Sequence, residues 1–571
     1  MNPLKSKFRA GRILSIAALL VFSGLFGLGA GQNAARTSGI PASEIISWPE
    51  DFEGCTSIQV GRLASTDGSV MTAHTCDGNY RQWLNLVPHA KYPDGTKTKI
   101  YAGKMHTETP ADLRGMNLKG EIPQVAETYA FLNTAYPCMN EAGLAIGETT
   151  IGGHDELVNA EGMFMIEEIE RLMLERCATA RDAIKLAGQL IKEYGYGDYG
   201  ECITIADSKE VWHFEVFGEG PLKKGGVWAA VRIPDDHVGI SANIPRISEI
   251  DLKNPDRYMA SENVFKVAEE LGFYDPKKGE PFKFWKAYSG TRPFGIRDFY
   301  VLSTIAPSLN LKMDMVELPF SVKAEKKLSV SDVLKLYRET YAGTEYDAGK
   351  NLLVPKRPQM RRPGTPPPAQ PAGQAPAAPE MVRSPLAQPW MSGDLIQLIN
   401  TLKPGTITQT RSIAISGCAY ATVLQCRPNL PPAIGTVCWF AFDNPGLSPR
   451  IPIYAGVTTV PTAFEICGQH RYRTDSAAWM FRRTNRLATL KWGQTEKIMS
   501  DNIKAFENKA LLEMPAVEKT YLEMAASKTP EKLLFTPAAY LTKYCSDFAH
   551  AAMSKSNELG DQFMFLFRGG I

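Results

Sequence analysis

Alternating apolar and polar positions near residue 55 predict a β-hairpin. The alternation runs through residues 56–64 and again through residues 70–75. Between the two runs stands Asp67-Gly68, a dipeptide typical of tight hairpin turns. We therefore expect two antiparallel strands, with Cys55 at the start of the first strand and His74 near the end of the second.

Helical periodicity dominates the region that follows. Apolar residues recur at helical spacing over residues 164–177 and 183–191. The second helix has a capping-box start, because Thr179 precedes Asp182 by three residues. Further strand patterns span residues 201–206, 211–216, 228–233 and 238–242. Strands, then a helix pair, then more strands predict an α+β domain of layered sheets and helices.

The remaining chain divides at a segment of low complexity. Residues 356–390 are rich in Pro, Ala, Gln and Arg, which predicts a disordered insert. The core is expected over residues 55–355 and continues in the strand-rich residues 391–475. Residues 476–571 are predicted to be helical. Within them Thr529-Pro530-Glu531 predicts a helix start, because proline is favoured in the first turn.

The start of the chain has the pattern of a secretory signal. Basic residues precede the apolar run 13–28, and small residues follow it. The pattern predicts a signal peptide over residues 1–30, a pro-segment over residues 31–54, and a secreted or periplasmic protein. An uncleaved signal anchor is the alternative, although the run is short and interrupted by glycine.

Composition excludes several other classes. A formal net charge of +2 over 571 residues provides no electrostatic footprint for nucleic acid. Ten cysteines are too few for a disulfide scaffold, and none has paired zinc-ligand spacing. Phosphate-binding and dinucleotide-binding loops, a serine nucleophile elbow and a zinc-peptidase helix motif are also missing. We therefore expect no cofactor, no metal and no nucleic-acid partner.

Cys55 is the candidate nucleophile. If the chain is cut between Gly54 and Cys55, this residue carries both a thiol and a free α-amine, a nucleophile and a base within reach of each other. The reference pKa values, about 7.7–8.0 for the amine and about 8.5 for the thiol, favour proton transfer near neutral pH. A structural, half-buried cysteine is one alternative. A dyad of Cys55 and His74 on paired strands is another.

Short motifs in a fixed order carry a resemblance to a known family. They include Cys55-Thr56-Ser57, His74-Thr75-Cys76-Asp77-Gly78, Gly147-Glu148-Thr149-Thr150, Ala242-Asn243 and Arg411-Ser412-Ile413. The chain resembles the cysteine dipeptidases of the N-terminal-nucleophile (Ntn) hydrolase class, relatives of choloylglycine hydrolases, penicillin V acylases and secernins. The resemblance runs from Cys55 nearly to the end of the chain. It implies a four-layer αββα sandwich with a helical C-terminal region, self-cleavage before Cys55, and hydrolysis of dipeptides or very short peptides.

The resemblance also implies roles for individual residues. Asp77 matches the aspartate that orients the nucleophile and its amine, with a turn-capping role as the alternative. Asn243 matches the strand-end asparagine that supports the oxyanion, with a turn role before a proline as the alternative. His74 stands where the choloylglycine relatives have an arginine. Glu148 and Thr149 stand near the place of their second oxyanion asparagine.

Charged residues are candidates for the two ends of a zwitterionic dipeptide. Glu148 is a candidate partner of the ammonium group, or the member of a buried ion pair. Arg246 and Arg297 are candidates for the carboxylate, because arginine binds carboxylates bidentately, although a structural salt bridge is the alternative for each. Two other functions stay open: an Ntn amidohydrolase acting on N-acyl amides, and a non-enzymatic secernin-like protein. A homo-oligomer is compatible with the sequence.

Overall fold

The computed structural model describes residues 54–220, 225–356, 379–469 and 471–569. The predicted signal peptide and the predicted pro-segment up to residue 53 lie outside the described residues. Most of the predicted insert, residues 357–378, lies outside them as well. All statements below concern the described ranges.

Helices and antiparallel strands are mixed along these ranges. The strands are β1 (Gly54–Val60), β2 (Val70–Asp77), β3 (Asn85–Val87), β4 (Ala90–Lys91), β5 (Lys97–Ala102), β6 (Asn117–Pro123), β7 (Glu127–Thr128), β8 (Phe131–Asn133), β9 (Met139–Asn140), β10 (Ala145–Thr150), β11 (Glu201–Ala206), β12 (Val211–Gly218), β13 (Gly226–Arg232), β14 (His237–Ser241), β15 (Tyr258–Ala260), β16 (Ser321–Lys323), β17 (Leu353–Pro355), β18 (Met381–Arg383), β19 (Cys418–Cys426), β20 (Thr436–Phe442) and β21 (Ile451–Tyr454). The α-helices are α1 (Ile166–Arg176), α2 (Ala180–Tyr194), α3 (Val264–Glu270), α4 (Phe284–Tyr288), α5 (Ile296–Ile305), α6 (Val330–Leu336), α7 (Gly393–Leu402), α8 (Pro432–Gly435), α9 (Ala477–Leu490), α10 (Trp492–Ala525) and α11 (Pro537–Leu566). This mixture agrees with the predicted α+β class.

Two large antiparallel sheets organise the fold. The seven-stranded sheet has the order β16-β14-β1-β2-β19-β20-β21. The eight-stranded sheet has the order β15-β13-β12-β11-β10-β9-β8-β3. In the first sheet β19 pairs along the full length of β2, so residues that follow the low-complexity segment extend the sheet that the N-terminal hairpin begins.

The two sheets approach each other closely where β1 and β2 cross β10 and β11. Thr204 of the second sheet shares short hydrogen bonds with the hydroxyl groups of Ser57, at 2.7 Å, and Thr72, at 2.6 Å, in the first. Gly147 lies at the same crossing. A Cβ atom there would be 2.8 Å from the Thr204 hydroxyl and 3.0 Å from the main-chain oxygen of Ala73. This separation between the sheets therefore requires glycine at position 147.

Amphipathic helices cover the sheets. Helix α2 packs on β11, β12 and β13 with the apolar face that the periodicity predicts, formed by Ala183, Ile184, Ala187, Leu190 and Ile191. Helices α5, α6, α9 and α11 pack against strands of the seven-stranded sheet. Buried apolar side chains from both sheets and these helices form the main core. A second, smaller cluster packs α3 and α4 against β12 and β13. None of the helices in the described ranges combines the length and apolar character needed to cross a bilayer.

The predicted N-terminal hairpin is confirmed, although its first strand is shorter than expected. Cys55 lies directly opposite Cys76 in the β1–β2 register. Strand β1 ends at Val60 because the chain then turns to bond with the segment before β14, where the Leu63 N–H donates to the Asp235 carbonyl at 2.7 Å. The connection is thus a long loop instead of a tight turn.

The helix predictions have a mixed outcome. Helices α1 and α2 are confirmed, and the side chain of Thr179 accepts a hydrogen bond from the Asp182 N–H as the capping pattern predicts. The predicted helix start at Thr529 is wrong, since residues Pro530–Lys532 form only one 3-10 turn. Helix α11 begins at Pro537 instead, with Thr536 as its N-cap. Two Thr-Pro pairs carry the same local signal, but apolar burial begins only with Leu541, after the second pair.

We predict that Gly147→Ala destabilises the protein. The added methyl group meets the main chain of β2 and the Thr204 hydroxyl, and overpacking of this kind costs about 1–3 kcal/mol. Gly393→Ala is the matched control, since no atom lies within 4 Å of its Cβ position and the residue begins helix α7. Thermal unfolding of both variants measures the difference. Equal melting temperatures would contradict the close approach of the sheets.

Candidate active site

Cys55 lies on a central strand with partners on both sides. Strand β1 pairs with β2 on one edge and with β14 on the other, and the Cys55 side chain is buried. Its main-chain N–H does not continue the ladder with β14. It donates instead to the side-chain oxygen Oδ1 of Asn243 at 3.0 Å, just beyond the end of β14. The backbone nitrogen of the candidate nucleophile is therefore held by a side chain.

Asn243 joins three segments of the chain. Its φ of 66° lies in the left-handed region, which asparagine tolerates better than most residues. Its Oδ1 accepts from Cys55 N and from the Arg297 guanidinium, while its Nδ2 donates to the carbonyl of Thr150 at 2.7 Å. The strained backbone thus aims the amide between β1, the end of β10 and helix α5.

Arg297, on helix α5, binds the same place from the other side. Its Nη1 donates to the Cys55 carbonyl at 2.5 Å and to the Thr56 hydroxyl at 2.9 Å. Its Nη2 donates to the Ala242 carbonyl at 2.9 Å and to Asn243 Oδ1 at 2.7 Å. Burial lowers the pKa of this guanidinium to about 10, so it stays cationic at neutral pH. Four protein oxygens therefore surround one buried positive charge.

The thiol itself faces a carboxyl group. Cys55 Sγ lies 3.3 Å from Oε2 of Glu148, a fully buried residue of β10. Burial raises the pKa of the Cys55 thiol well above its usual range, and the Glu148, Cys76 and Asp77 groups add to the rise. Burial also raises the pKa of Glu148. With Gly54 still attached, the thiol is therefore protonated at neutral pH and needs a base to react.

His74 holds the main chain of Glu148. Its Nδ1 lies 2.8 Å from the Glu148 carbonyl and 3.2 Å from the Glu148 N–H, and its Nε2 lies 3.2 Å from the Tyr420 hydroxyl. The shorter contact to a carbonyl oxygen requires a proton on Nδ1. Burial lowers the pKa of His74 to about 4, so the ring is neutral at pH 7. This arrangement favours a positioning role over a Cys55–His74 dyad.

The same three side chains are close enough to hold a metal ion. Sγ of Cys55, a ring nitrogen of His74 and a carboxylate oxygen of Glu148 lie within 4.8 Å of one another. A metal ligand must offer a free lone pair, however, and Nδ1 of His74 donates to the Glu148 carbonyl. The donor set thus fits a hydrogen-bonded site better than a metal centre.

Asp77 lies at the end of β2, opposite Gly54. Its Oδ2 accepts from Arg411 at 2.6 Å and from the Thr75 hydroxyl at 3.0 Å. The Thr75 hydroxyl in turn accepts from the Thr56 N–H at 3.0 Å. A chain of hydrogen bonds therefore connects the buried Asp77–Arg411 ion pair to the backbone beside the scissile bond that the sequence predicts.

The other predicted site residues lie farther from the thiol or have other partners. Thr149 faces the first sheet, where its hydroxyl lies 2.5 Å from that of Ser241. Arg246 donates to the carbonyls of Pro293, at 3.1 Å, and Pro319, at 2.6 Å. Both arginines expected to bind a substrate carboxylate thus use their guanidinium groups on protein oxygens.

Several contributors to the site were not predicted. Arg411 and Tyr420 come from the C-terminal half and reach Asp77 and His74 across more than 330 residues of sequence. For Glu201, on the strand that neighbours Glu148, the sequence pattern predicts only the start of a strand. Arg411 stands in one of the motifs that carry the family resemblance, which was the one available signal.

Comparison with known proteins identifies a matching family and several relatives. The sequence profile described as "Peptidase family C69" matches residues 54–505, a span that begins one residue before Cys55. A probable dipeptidase of Salmonella dublin is 27% identical over 424 residues, which cover 71% of this chain and 81% of the relative. A probable dipeptidase of Latilactobacillus sakei is 24% identical, covering 82% and 88%. Dipeptidase A of Lactobacillus helveticus is 21% identical, covering 84% and 91%.

The profile match covers most of the chain and includes every residue of the site described above. It confirms the resemblance that the motifs indicate. The chain therefore belongs to peptidase family C69, a family of cysteine peptidases of the N-terminal-nucleophile type, and is a peptide hydrolase.

Proposed function

We propose that this peptide hydrolase is a dipeptidase whose nucleophile, Cys55, becomes the N-terminal residue by cleavage after Gly54. The observation that carries the proposal is the contact of Cys55 N with Asn243 Oδ1 at 3.0 Å, next to the thiol that faces the Glu148 carboxyl group. An amine freed at this nitrogen would already be held beside the sulfur. The names of the relatives, dipeptidase and probable dipeptidase, support the substrate class.

Maturation would use the same thiol. The Cys55 sulfur attacks the Gly54 carbonyl carbon, the C–N bond between the two residues breaks, and the nitrogen takes the thiol proton. Water then hydrolyses the thioester and releases the segment that ends at Gly54. Glycine at this position presents no side chain to obstruct the attack.

In the mature enzyme the α-amine would act as the base. It takes the proton from the thiol, the thiolate attacks the peptide carbonyl of the substrate, and the amine returns the proton to the leaving amino acid. Water releases the first amino acid from the thioester. Asn243 can support the oxyanion, because its Nδ2 has two hydrogens and the contact to Thr150 uses one of them.

Arg297 would set the basicity of that amine. A cation beside an amine disfavours the ammonium form and lowers its pKa. Arg297 bonds both the Cys55 carbonyl and the asparagine that holds Cys55 N, so its charge lies close to the new N-terminus. We propose that Arg297 and Arg246 position the site and its loops instead of binding the substrate carboxylate.

The finer fold and the location of the protein are part of the proposal. Two facing sheets, with α2 on one and α9 and α11 on the other, support a four-layer αββα sandwich. The basic and apolar pattern at the start of the chain supports a signal peptide, a zymogen and an extracytoplasmic location.

Replacement of the nucleophile tests the proposal. We expect wild-type protein to begin at Cys55 and to hydrolyse dipeptides, and Cys55→Ala to retain Gly54 and lose all activity. Cys426→Ala is the control, since this buried cysteine lies on β19 of the same sheet and its thiol contacts Gly143. Intact mass, N-terminal sequencing and a dipeptide panel are the measurements. An active Cys55→Ala variant would overturn the mechanism. A wild-type chain that keeps Gly54 and hydrolyses nothing would also overturn it and would favour the secernin-like alternative.

Asp77→Asn should lower turnover far more than it lowers stability. A variant that loses a similarly buried ion pair elsewhere provides the comparison. The change removes the negative charge beside the new N-terminus and breaks the ion pair with Arg411, a loss that costs about 3–5 kcal/mol when a pair is buried. Glu168→Gln is the matched variant, since it breaks a comparably buried pair with Arg171 on helix α1, outside the site described above. We expect similar melting temperatures but at least a tenfold lower kcat only for Asp77→Asn. Equal kcat per folded molecule would exclude the role of Asp77.

Two substitutions of Arg297 separate its charge from its geometry. Arg297→Gln removes the cation, so the amine pKa rises and the acidic limb of the kcat profile moves to higher pH by about one unit or more. Arg297→Lys keeps the charge but loses the forked hydrogen bonds of the guanidinium. We therefore expect kcat to fall while the acidic limb of its pH profile stays at the wild-type pH. Arg246→Lys, which loses contacts to loop carbonyls, controls for stability. The pH profiles of kcat are normalised to the amount of protein that begins at Cys55. If the acidic limb of Arg297→Gln lies at the same pH as in the wild type, Arg297 does not set the pKa of the amine.

A further inference from the structure

Glu201 is a buried carboxyl residue that the mechanism above does not use. It begins strand β11, is 3% exposed and lies directly opposite Thr150 in the β10–β11 register. Side chains alternate along a strand, so Glu148 and Thr150 lie on the same face of the sheet, and Glu201 shares that face. The sheet therefore presents three oxygen-bearing side chains in a row that begins at the thiol.

The two carboxyl groups of this row are bonded to each other. Glu148 and Glu201 share a side-chain hydrogen bond, and the Thr150 hydroxyl donates to Oε1 of Glu148 at 3.4 Å. The second oxygen of Glu201, Oε2, is buried without a hydrogen-bond partner. A buried acceptor left unpaired is costly, so this oxygen is suited to a donor that arrives with a ligand.

The position of these three side chains relative to the Cys55 sulfur indicates which group of a ligand would donate hydrogen bonds to them. In a peptide with a free N-terminus, the amine nitrogen lies about 2.5 Å from the carbonyl carbon that the thiolate attacks. The sulfur approaches that carbon to about 3–3.5 Å. Oε2 of Glu148 lies 3.3 Å from the sulfur, so it falls within reach of the amine of a substrate bound for attack.

The chemistry of the row favours an ammonium group over a metal ion. An ammonium has three N–H donors, and Glu148, Glu201 and Thr150 together offer acceptors for them. Calcium requires six to eight converging oxygens. Within the described ranges, Glu148 converges with Cys55 and His74 as a potential ligand set, and Glu201 is not a member of that set.

Cleavage after Gly54 would also provide space for the first residue of the substrate. Gly54 is buried beside Cys55 in the uncleaved chain. Its departure leaves room next to the sulfur and the row of carboxyl groups, which the first residue of a substrate can occupy.

We propose that Glu148 and Glu201 form the subsite for the free α-ammonium group of the substrate, with Glu201 as a specificity-determining residue. The enzyme accordingly acts on peptides with an unblocked N-terminus and rejects acylated or des-amino analogues of the same size. This inference rests on the proposed dipeptidase function and narrows its substrate class.

Alanyl-alanine and propionyl-alanine test the subsite, because they differ only in the amine. In wild-type enzyme we expect kcat/KM for alanyl-alanine to exceed that for propionyl-alanine by at least 100-fold. Glu201→Gln should reduce this ratio at least tenfold, mainly through a higher KM for alanyl-alanine, and should leave propionyl-alanine unaffected. Glu167→Gln is the control. It neutralises a different buried carboxyl group, which lies on helix α1, and should keep the wild-type ratio.

The possible results separate the ammonium subsite, the role of Glu201 and the proposed dipeptidase function from one another. A wild-type enzyme that hydrolyses both substrates equally well overturns the ammonium subsite and leaves the hydrolase, with the N-acyl amide alternative favoured. A strong wild-type preference that Glu201→Gln preserves overturns the role of Glu201. A wild-type enzyme that hydrolyses neither substrate, nor any dipeptide of a panel, overturns the proposed function itself. The wild-type ratio tests the subsite even if Glu201→Gln does not fold.

Discussion

One buried positive charge holds the candidate site together. The Arg297 guanidinium bonds the carbonyl of Cys55, the hydroxyl of Thr56, the carbonyl of Ala242 and the side chain of Asn243. Burying a charge is costly unless it is fully hydrogen-bonded, and these four oxygens offset the cost. The start of β1, the end of β14 and helix α5 are thereby tied to one another. The Arg297 guanidinium therefore fixes the side-chain amide of Asn243, and through it the backbone nitrogen of Cys55.

A second set of contacts makes the site a joint product of both halves of the chain. Arg411 pairs with Asp77, and Tyr420 bonds His74, which in turn holds Glu148. The partners from the C-terminal half lie on β19 or just before it, beside β2. The sheet that carries Cys55, the candidate nucleophile, therefore also carries the side chains from the C-terminal half that hold its neighbours. A fragment that ends before Arg411 would lack both the sheet partner β19 and the ion pair with Asp77.

Local patterns predicted the local parts of this structure. The helical period identified α1 and α2, the capping pattern identified the start of α2, and the alternation around residue 55 identified the hairpin that carries Cys55. The end of β1 and the start of α11 were misplaced because each depends on what the chain packs against. Long-range partners left no local signal. The contacts of Arg297 and Arg246, and the pairing of Glu201 with Glu148, follow from the way distant strands and loops meet.

The pairing of β2 with β19 has a consequence for synthesis. Strand β2 receives its second partner roughly 340 residues later, which at about 5–20 residues per second corresponds to about 20–70 s on the ribosome. During that interval the free edge of β2 in the hairpin that carries Cys55 has unpaired N–H and C=O groups, and such an edge promotes pairing with other chains. The nascent protein therefore has its greatest tendency to aggregate before β19 is made, about three quarters of the way along the chain, and a binding factor that shields this edge would act in that interval.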